Sequence, residues 1–266
     1  MRIPTLLIHS AKQLLARFGT IWFLLLMIGQ LAFIGFILSY YGVRVVTGNL
    51  SAINDKPLIT GYVAGDVTGN LMFVVHVLLA AVMTFGCLAQ LIPQIRQRYP
   101  AAHRWNGRVF LTLAVFLALG GLWMTWVRGS HLSIISGLSV SFNGILILIF
   151  SAFTLRHAIA RRIALHRKWA LRTFMVARGV WFFRVGLMGW ILVNQAPRGM
   201  NSTLSGPADV ALSLGSYLVP LAGLELYFAA QRSSSQAFRI SAVMMLSAMS
   251  LFMAVGIIGA ITLMWF

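Results

Sequence analysis

Seven uninterrupted apolar stretches dominate this chain of 266 residues: Thr20–Tyr41, Gly69–Leu91, Gly107–Val127, Leu132–Leu155, Trp169–Val193, Val210–Ala230 and Ile240–Met264. A helix rises about 1.5 Å per residue, so about 20 residues cross the hydrocarbon of a bilayer. Inside lipid every backbone N–H and C=O needs a partner within the protein, which leaves only helices and closed barrels. Barrel strands alternate apolar and polar residues, and these runs do not. The sequence predicts an all-α polytopic transmembrane bundle of about seven spans. It forms a single integral membrane domain over 1–266, with its motif-bearing four-helix part at about 69–193.

Composition agrees, because hydrophobic residues are 59% of the chain and charged residues 9%, against about a quarter charged in soluble domains. The net charge of +17 would suggest nucleic acid in a soluble protein. Here the basic residues crowd short gaps between spans, so no nucleic acid is expected. The expected partners are the bilayer and anionic lipid headgroups at the cytoplasmic face.

A cytoplasmic N-terminus places fifteen basic residues inside: Arg2, Lys12 and Arg17; Arg96, Arg98, Arg104 and Arg108; Arg156, Arg161, Arg162, Arg167, Lys168 and Arg172; Arg232 and Arg239. Only Arg44, Lys56, Arg128 and Arg198 fall outside. Lys and Arg in short loops resist translocation, so the split predicts that orientation, in a bacterial inner membrane. The basic start resembles a signal peptide, but the run that follows is too long for one and reads as an uncleaved first span. The outer loop Gly42–Thr68, with Asp55-Lys56-Pro57, has room for a short interfacial helix. The lone cysteine, Cys87, excludes a disulfide within the chain.

Two inner gaps share a pattern. One reads His103-Arg104-Trp105-Asn106-Gly107-Arg108, the other His166-Arg167-Lys168-Trp169-Ala170-Leu171-Arg172. Each has His-Arg, then Trp, then Arg three residues after the Trp, where the chain re-enters the membrane. Helix N-termini and flanking arginines favour an anion there: a lipid phosphate, a haem propionate or an acidic substrate. A lipid-facing basic collar with interfacial tryptophans accounts for the arginines equally well. It accounts less well for the paired histidines.

Within the spans, His76, Arg178 and Arg184 are costly to leave in lipid and point to a functional interior. Counting along the helices puts His76, Arg184 and Asn143 near one level. Arg178 and Glu225 are placed to form a buried ion pair, while Arg178 and Arg184, six residues apart, fall on different faces of a regular helix. The histidines sort into an inner layer of His103, His166 and His157 and an outer layer of His76 and His131. Bundles that hold haem b use histidines from different helices with cations near the propionates. The candidate cofactor-binding set is therefore His76, His103, His166, Arg108, Arg172 and Arg184, with His76, His103 and His166 as candidate metal ligands. Zinc-protease, CxxC, Walker and GxSxG motifs are absent, so no reaction of those classes is indicated.

His76 with Gly86 and Gln90, the first His-Arg-Trp motif with Gly107 and Arg108, and the second with Trp169 and Arg172 together resemble the bacterial membrane-protein family called domain of unknown function 2306. The resemblance runs from about His76 to Arg184 and implies a membrane bundle without an assigned activity. Its motif histidines correspond to His76, His103 and His166; His131 and His157 fall outside the pattern. A likeness to cytochrome b561-type bundles is analogy only. The expectation is a haem-b or quinone-linked electron-transfer protein with a redox partner. The alternatives are a non-redox carrier, a lipid-binding protein or an assembly factor of a membrane complex.

Overall fold

The computed structural model describes residues 5–56 and 61–266, so Arg2 and Pro57 lie outside the described residues. All regular structure there is helical. The first rod runs as α1 (Thr5–Phe36), a π-helical segment (Ile37–Gly42) and α2 (Val43–Val46), extending the expected first span at both ends. Then come α3 (Val67–Leu91), α4 (Pro93–Arg98), α5 (Pro100–Trp126), α6 (Ile134–Ile159), α7 (Ile163–Ala177), α8 (Gly179–Asn194), α9 (Pro207–Arg232) and α10 (Gln236–Gly259). A π-helical turn, Ala260–Trp265, prolongs α10. Among the described residues six helices are long and apolar enough to cross a membrane, and α7 with α8 add a seventh when the bent pair is counted as one broken span.

Local chemistry sets where the helices begin. Asp66 accepts the Gly69 N–H (2.8 Å) at the start of α3, Ser133 and Ser136 cap α6 reciprocally, and Ser235 caps α10. Pro100 and Pro207 occupy first-turn positions, where a missing N–H costs nothing. The expected fifth span, Trp169–Val193, is not one rod. It breaks at Arg178 (φ −96°, ψ 6°), which ends α7 and starts α8, and the two halves meet at a 53° bend. The gap before Gly107 is also shorter than expected, since α4 and the first two turns of α5 fill it.

Helix association in lipid has little hydrophobic drive and depends on close packing by small residues. Gly256 shows this, because a Cβ there would overlap the Val185 carbonyl where α10 crosses α8. Gly29 lies against Trp181, whose indole donates to the Gly29 carbonyl (3.2 Å), joining α1 to α8.

The loop after α2, where a short interfacial helix was expected, holds a five-residue 3₁₀ turn, Ser51–Asp55. Arg128 ties it to α3 by donating to Asp66 (2.8 Å), Asn70 (2.8 Å) and the Gly61 carbonyl (3.1 Å). The Gly69 N–H and then Arg128 hold the Asp66 carboxyl below its ordinary range. A depressed carboxylate stabilises the fold above its unfolded pKa of about 4, and that stability is lost as pH falls through the folded value.

Two outcomes follow for the detergent-solubilised protein. Its melting temperature falls as pH drops below about 4, and Asp66→Asn has a lower melting temperature at neutral pH with a smaller acid-side loss. Gly256→Ala costs about 1–3 kcal/mol by overpacking, whereas Gly42→Ala, with nothing within 4 Å of the added Cβ, leaves melting unchanged or slightly raised.

Candidate functional site

The break at Arg178 creates the site. Before it, α7 packs along α6 and α9; after it, α8 packs against α9 and α10 without substantial packing on α6. The divergence leaves a cavity of about 180 Å³ walled by the first rod, α3, α5, α6 and the two half-helices. Many positions on its walls are small: Ala80, Ala114, Ala118, Gly121, Gly144 and Ala177. Larger side chains there would close the space.

Phe33, Phe36 and Trp181 give the cavity aromatic walls. At its edge, Val140 and Val180 are 49% and 56% exposed in the second turn of α6 and the first turn of α8. In a membrane-spanning bundle that exposed face meets acyl chains, so the cavity opens sideways toward lipid.

His76, Asn143, Arg178 and Arg184 all line it. The expected common level of His76, Arg184 and Asn143 is thus a shared cavity. The expected separation of Arg178 from Arg184 does not hold, because Arg178 sits in the break and regular helical rotation does not carry across it. Gly179 lets Asn143 approach, since a Cβ there would stand 2.5 Å from the amide nitrogen. A Cβ added at Gly120 or Gly121 of α5 would stand 3.5 or 3.7 Å from the His76 ring.

Few of these polar groups have partners. Arg178 is 3% exposed and donates to the Thr84 hydroxyl through Nη1, while its Nε and Nη2 have no partner. His76 Nδ1 and Asn143 Oδ1 are buried and unpartnered as well. Arg184 donates to the Val180 carbonyl (3.3 Å), lies over the Phe33 ring (5.5 Å) and stands beside the Tyr41 hydroxyl. Sequence reasoning missed Thr84, Tyr41 and the Phe33–Phe36 wall. Only a periodic reading of the first span against its neighbours would have indicated them.

The expected Arg178–Glu225 pair is not formed. Glu225 takes both nitrogens of an Arg172 fork at 2.6 and 3.0 Å. Arg172 reaches it because it lies two turns nearer the α7 start, stacked over Trp169 (4.6 Å), which itself stacks on Phe153 (4.5 Å). The second motif is therefore a joint between α6, α7 and α9. Its His166 Nδ1 contacts the Thr154 carbonyl (3.0 Å), and Thr154 pairs with Thr173 (2.9 Å).

The first motif joins α3 to α5. Gln90 donates to the His103 carbonyl (2.8 Å) and Asn106 to the Gly86 carbonyl (2.6 Å), with Gly86 admitting the Asn106 side chain. Arg108 stacks over Trp105 (4.9 Å), and both are exposed.

The sequence placed both motifs at helix N-termini, but neither lies at a free one. The His103 and His166 N–H groups already bond to the Tyr99 and Arg162 carbonyls (3.0 and 2.9 Å), because each helix starts about a turn earlier. Among the described residues, no three His, Cys, Asp or Glu side chains group as metal ligands. The candidate trio His76, His103 and His166 is split, because His76 lines the cavity whereas His103 and His166 sit in the first turns of α5 and α7. His131 stands apart, its ring tilted against Trp126 (5.2 Å) and bonded to the Thr125 carbonyl (2.8 Å).

The family model described as "Predicted membrane protein (DUF2306)" matches residues 73–210. The chain belongs to that family. No curated protein and no solved structure matches the chain. The DUF2306 region carries both motifs and His76, Asn143, Arg178 and Arg184, while the aromatic wall from the first rod lies outside it. This protein is thus a polytopic integral membrane protein in which the DUF2306 helices supply most of the cavity's polar groups.

The two arginines of the broken span should respond oppositely to neutralisation. Arg172→Met removes a bidentate pair and lowers stability by roughly 1–3 kcal/mol. Arg178→Met removes a buried charge with no carboxylate partner, so in delipidated protein it leaves melting unchanged or raises it. Melting curves of both variants read the difference.

Proposed function

We propose that this DUF2306 protein binds a lipophilic molecule within the membrane. The ligand's polar head enters the cavity behind Arg178 and its apolar tail leaves between α6 and α8. One observation carries this reading: an apolar, small-residue-lined cavity that opens sideways among lipid-facing residues holds buried polar atoms with no protein partner. Such atoms cost free energy unless something satisfies them. About 180 Å³ is below the roughly 300–1,000 Å³ of pockets that enclose whole small molecules, so the cavity suits a headgroup rather than an entire ligand. Carriers, lipid-binding proteins and quinone-linked redox proteins all fall within this reading, since quinone carbonyls would accept from the same donors. The excess of basic residues at the His103 and His166 end supports a reading in which that end, and the N-terminus, face the cytoplasm of a bacterial inner membrane.

A second reading, haem-b electron transfer, draws on His103 and His166, which occupy matching places in the first turns of α5 and α7. His166 Nδ1 is fixed by the Thr154 carbonyl, leaving Nε2 for a ligand, and His103 Nδ1 is unpartnered. In the cavity itself a bis-imidazole haem does not fit, because His76 is its sole histidine. Bound haem would supply one-electron transfer at the cytoplasmic end, where Arg104 and Arg108 would meet its propionates. Anionic headgroups would meet the exposed Trp105–Arg108 pair on the same face.

Organic extraction and mass spectrometry of mildly purified protein test the first reading. Wild type should retain a specific lipophile near one per chain, and Gly121→Leu or Ala118→Leu, which fill the cavity, should lose most of it. Equal retention in folded wild type and variants would refute it. For the second reading, a reduced-minus-oxidised spectrum should show haem bands that His166→Ala removes; a flat spectrum with haem in excess ends it.

A further inference from the structure

We infer that the head bound in the cavity is an oxyanion, a carboxylate or phosphate carried on an apolar tail, held between Arg178 and Arg184. This rests on the reading of the cavity as a lipophile site and names the chemical class that fills it.

The chain's own charge inventory leads there. It contains four carboxylate side chains, Asp55, Asp66, Asp209 and Glu225, and none lines the cavity. Asp55 faces Arg44 (3.7 Å) and Asp66 faces Arg128 (2.8 Å). Glu225 is taken by Arg172 (2.6 Å). Asp209 accepts from the Asn201 and Gly206 N–H groups (2.9 and 3.1 Å) at the start of α9. No side-chain carboxylate is left for Arg178 or Arg184. Yet Arg178 is 97% buried, being 3% exposed, and its neighbours are the Thr84 hydroxyl and the neutral Cys87 thiol, with no geometric hydrogen-bond partner on Nε or Nη2. A guanidinium does not deprotonate in proteins, so its charge persists and needs a counter-ion from outside the chain.

The neighbouring groups fit the same chemistry. Tyr41 and Thr84 bring hydroxyls beside the two guanidiniums, and His76 can donate from either ring nitrogen. Arginine's fork suits two-oxygen heads such as carboxylate and phosphate. A neutral head would satisfy the hydrogen bonds but leave both charges unbalanced in a low-dielectric interior. A bare inorganic anion would balance the charge but leave the aromatic walls at Phe33, Phe36 and Trp181 without an apolar partner.

Binding to the full-length protein in detergent, followed by thermal shift and by native mass spectrometry, tests this with matched probes. Palmitate and dodecyl phosphate are compared with methyl palmitate, dodecanol, a short-chain ubiquinone, and sodium chloride or inorganic phosphate. The two acids should bind at least tenfold more tightly than their neutral counterparts, and preference between them identifies which oxyanion is used. Arg178→Gln and Arg184→Gln should each weaken the acids about tenfold or more, the loss of one charged hydrogen-bonding partner. Neither should change the weak binding of methyl palmitate, and Arg178→Lys should restore part of the loss.

Equal binding of acids and neutral analogues, a preference for the quinone, or binding of the inorganic ions alone would overturn the inference while leaving a ligand site in place. Binding of acids unchanged in both glutamine variants would also overturn it. Failure of every lipophilic probe, with Gly121→Leu indistinguishable from wild type, would overturn the lipophile reading as well.

Discussion

A cation inside hydrocarbon must find a counter-charge or a way out to water, and this chain meets that constraint in three ways. Where a carboxylate is within reach, the arginine becomes a structural joint. Arg128 pins the long loop to α3, and Arg172 fastens α7 to α9 through Glu225. Buried Arg239 instead donates to the Ala230 and Ser233 carbonyls at the end of α9, and two further arginines without a carboxylate face a cavity. Arg178 and Arg184 are in that position, and the rest of the site is arranged around them.

The broken span explains how they can be there. A straight helix from Ile163 to Asn194 would have kept α8 alongside α6 and left no gap. The break puts Arg178 at a point of non-helical backbone, turns α8 toward α10, and leaves space that small side chains on α3, α5 and α6 preserve. Irregular backbone at membrane depth is tolerated where it is buried or lines a cavity. Gly179 beside the break gives Asn143 room, and Trp181 fixes α8 to the Gly29 carbonyl of α1. The polar wall thus comes mostly from the helices that define the family, and the aromatic wall comes from the first rod and Trp181.

Much of the bundle was legible in the sequence because span length and the absence of alternation are direct consequences of bilayer thickness and backbone hydrogen bonding. The intramembrane residues His76, Asn143, Arg178 and Arg184 were legible for a related reason, since ionisable and amide groups stand out in an apolar run. What those residues touch was not. The two-turn offset between Arg172 and Arg178 decides which of them Glu225 meets, and a linear count could not choose between them. The break at Arg178 has no proline to mark it, so helical rotation was extrapolated across a point where it fails. The twin motifs looked like anion sites because their arginines were visible and their helix starts, a turn upstream at Pro100 and Ile163, were not. In the structure both motifs serve mainly to lock neighbouring helices together.

The most direct measurement is a high-resolution density map of the protein taken from its membrane into lipid nanodiscs without detergent. The account predicts non-protein density that reaches both guanidiniums, with an oxygen-rich end at Arg178 and an elongated tail passing between α6 and α8. A map in which α8 closes onto α6, or in which Arg178 turns to a carboxylate of the protein, would contradict it.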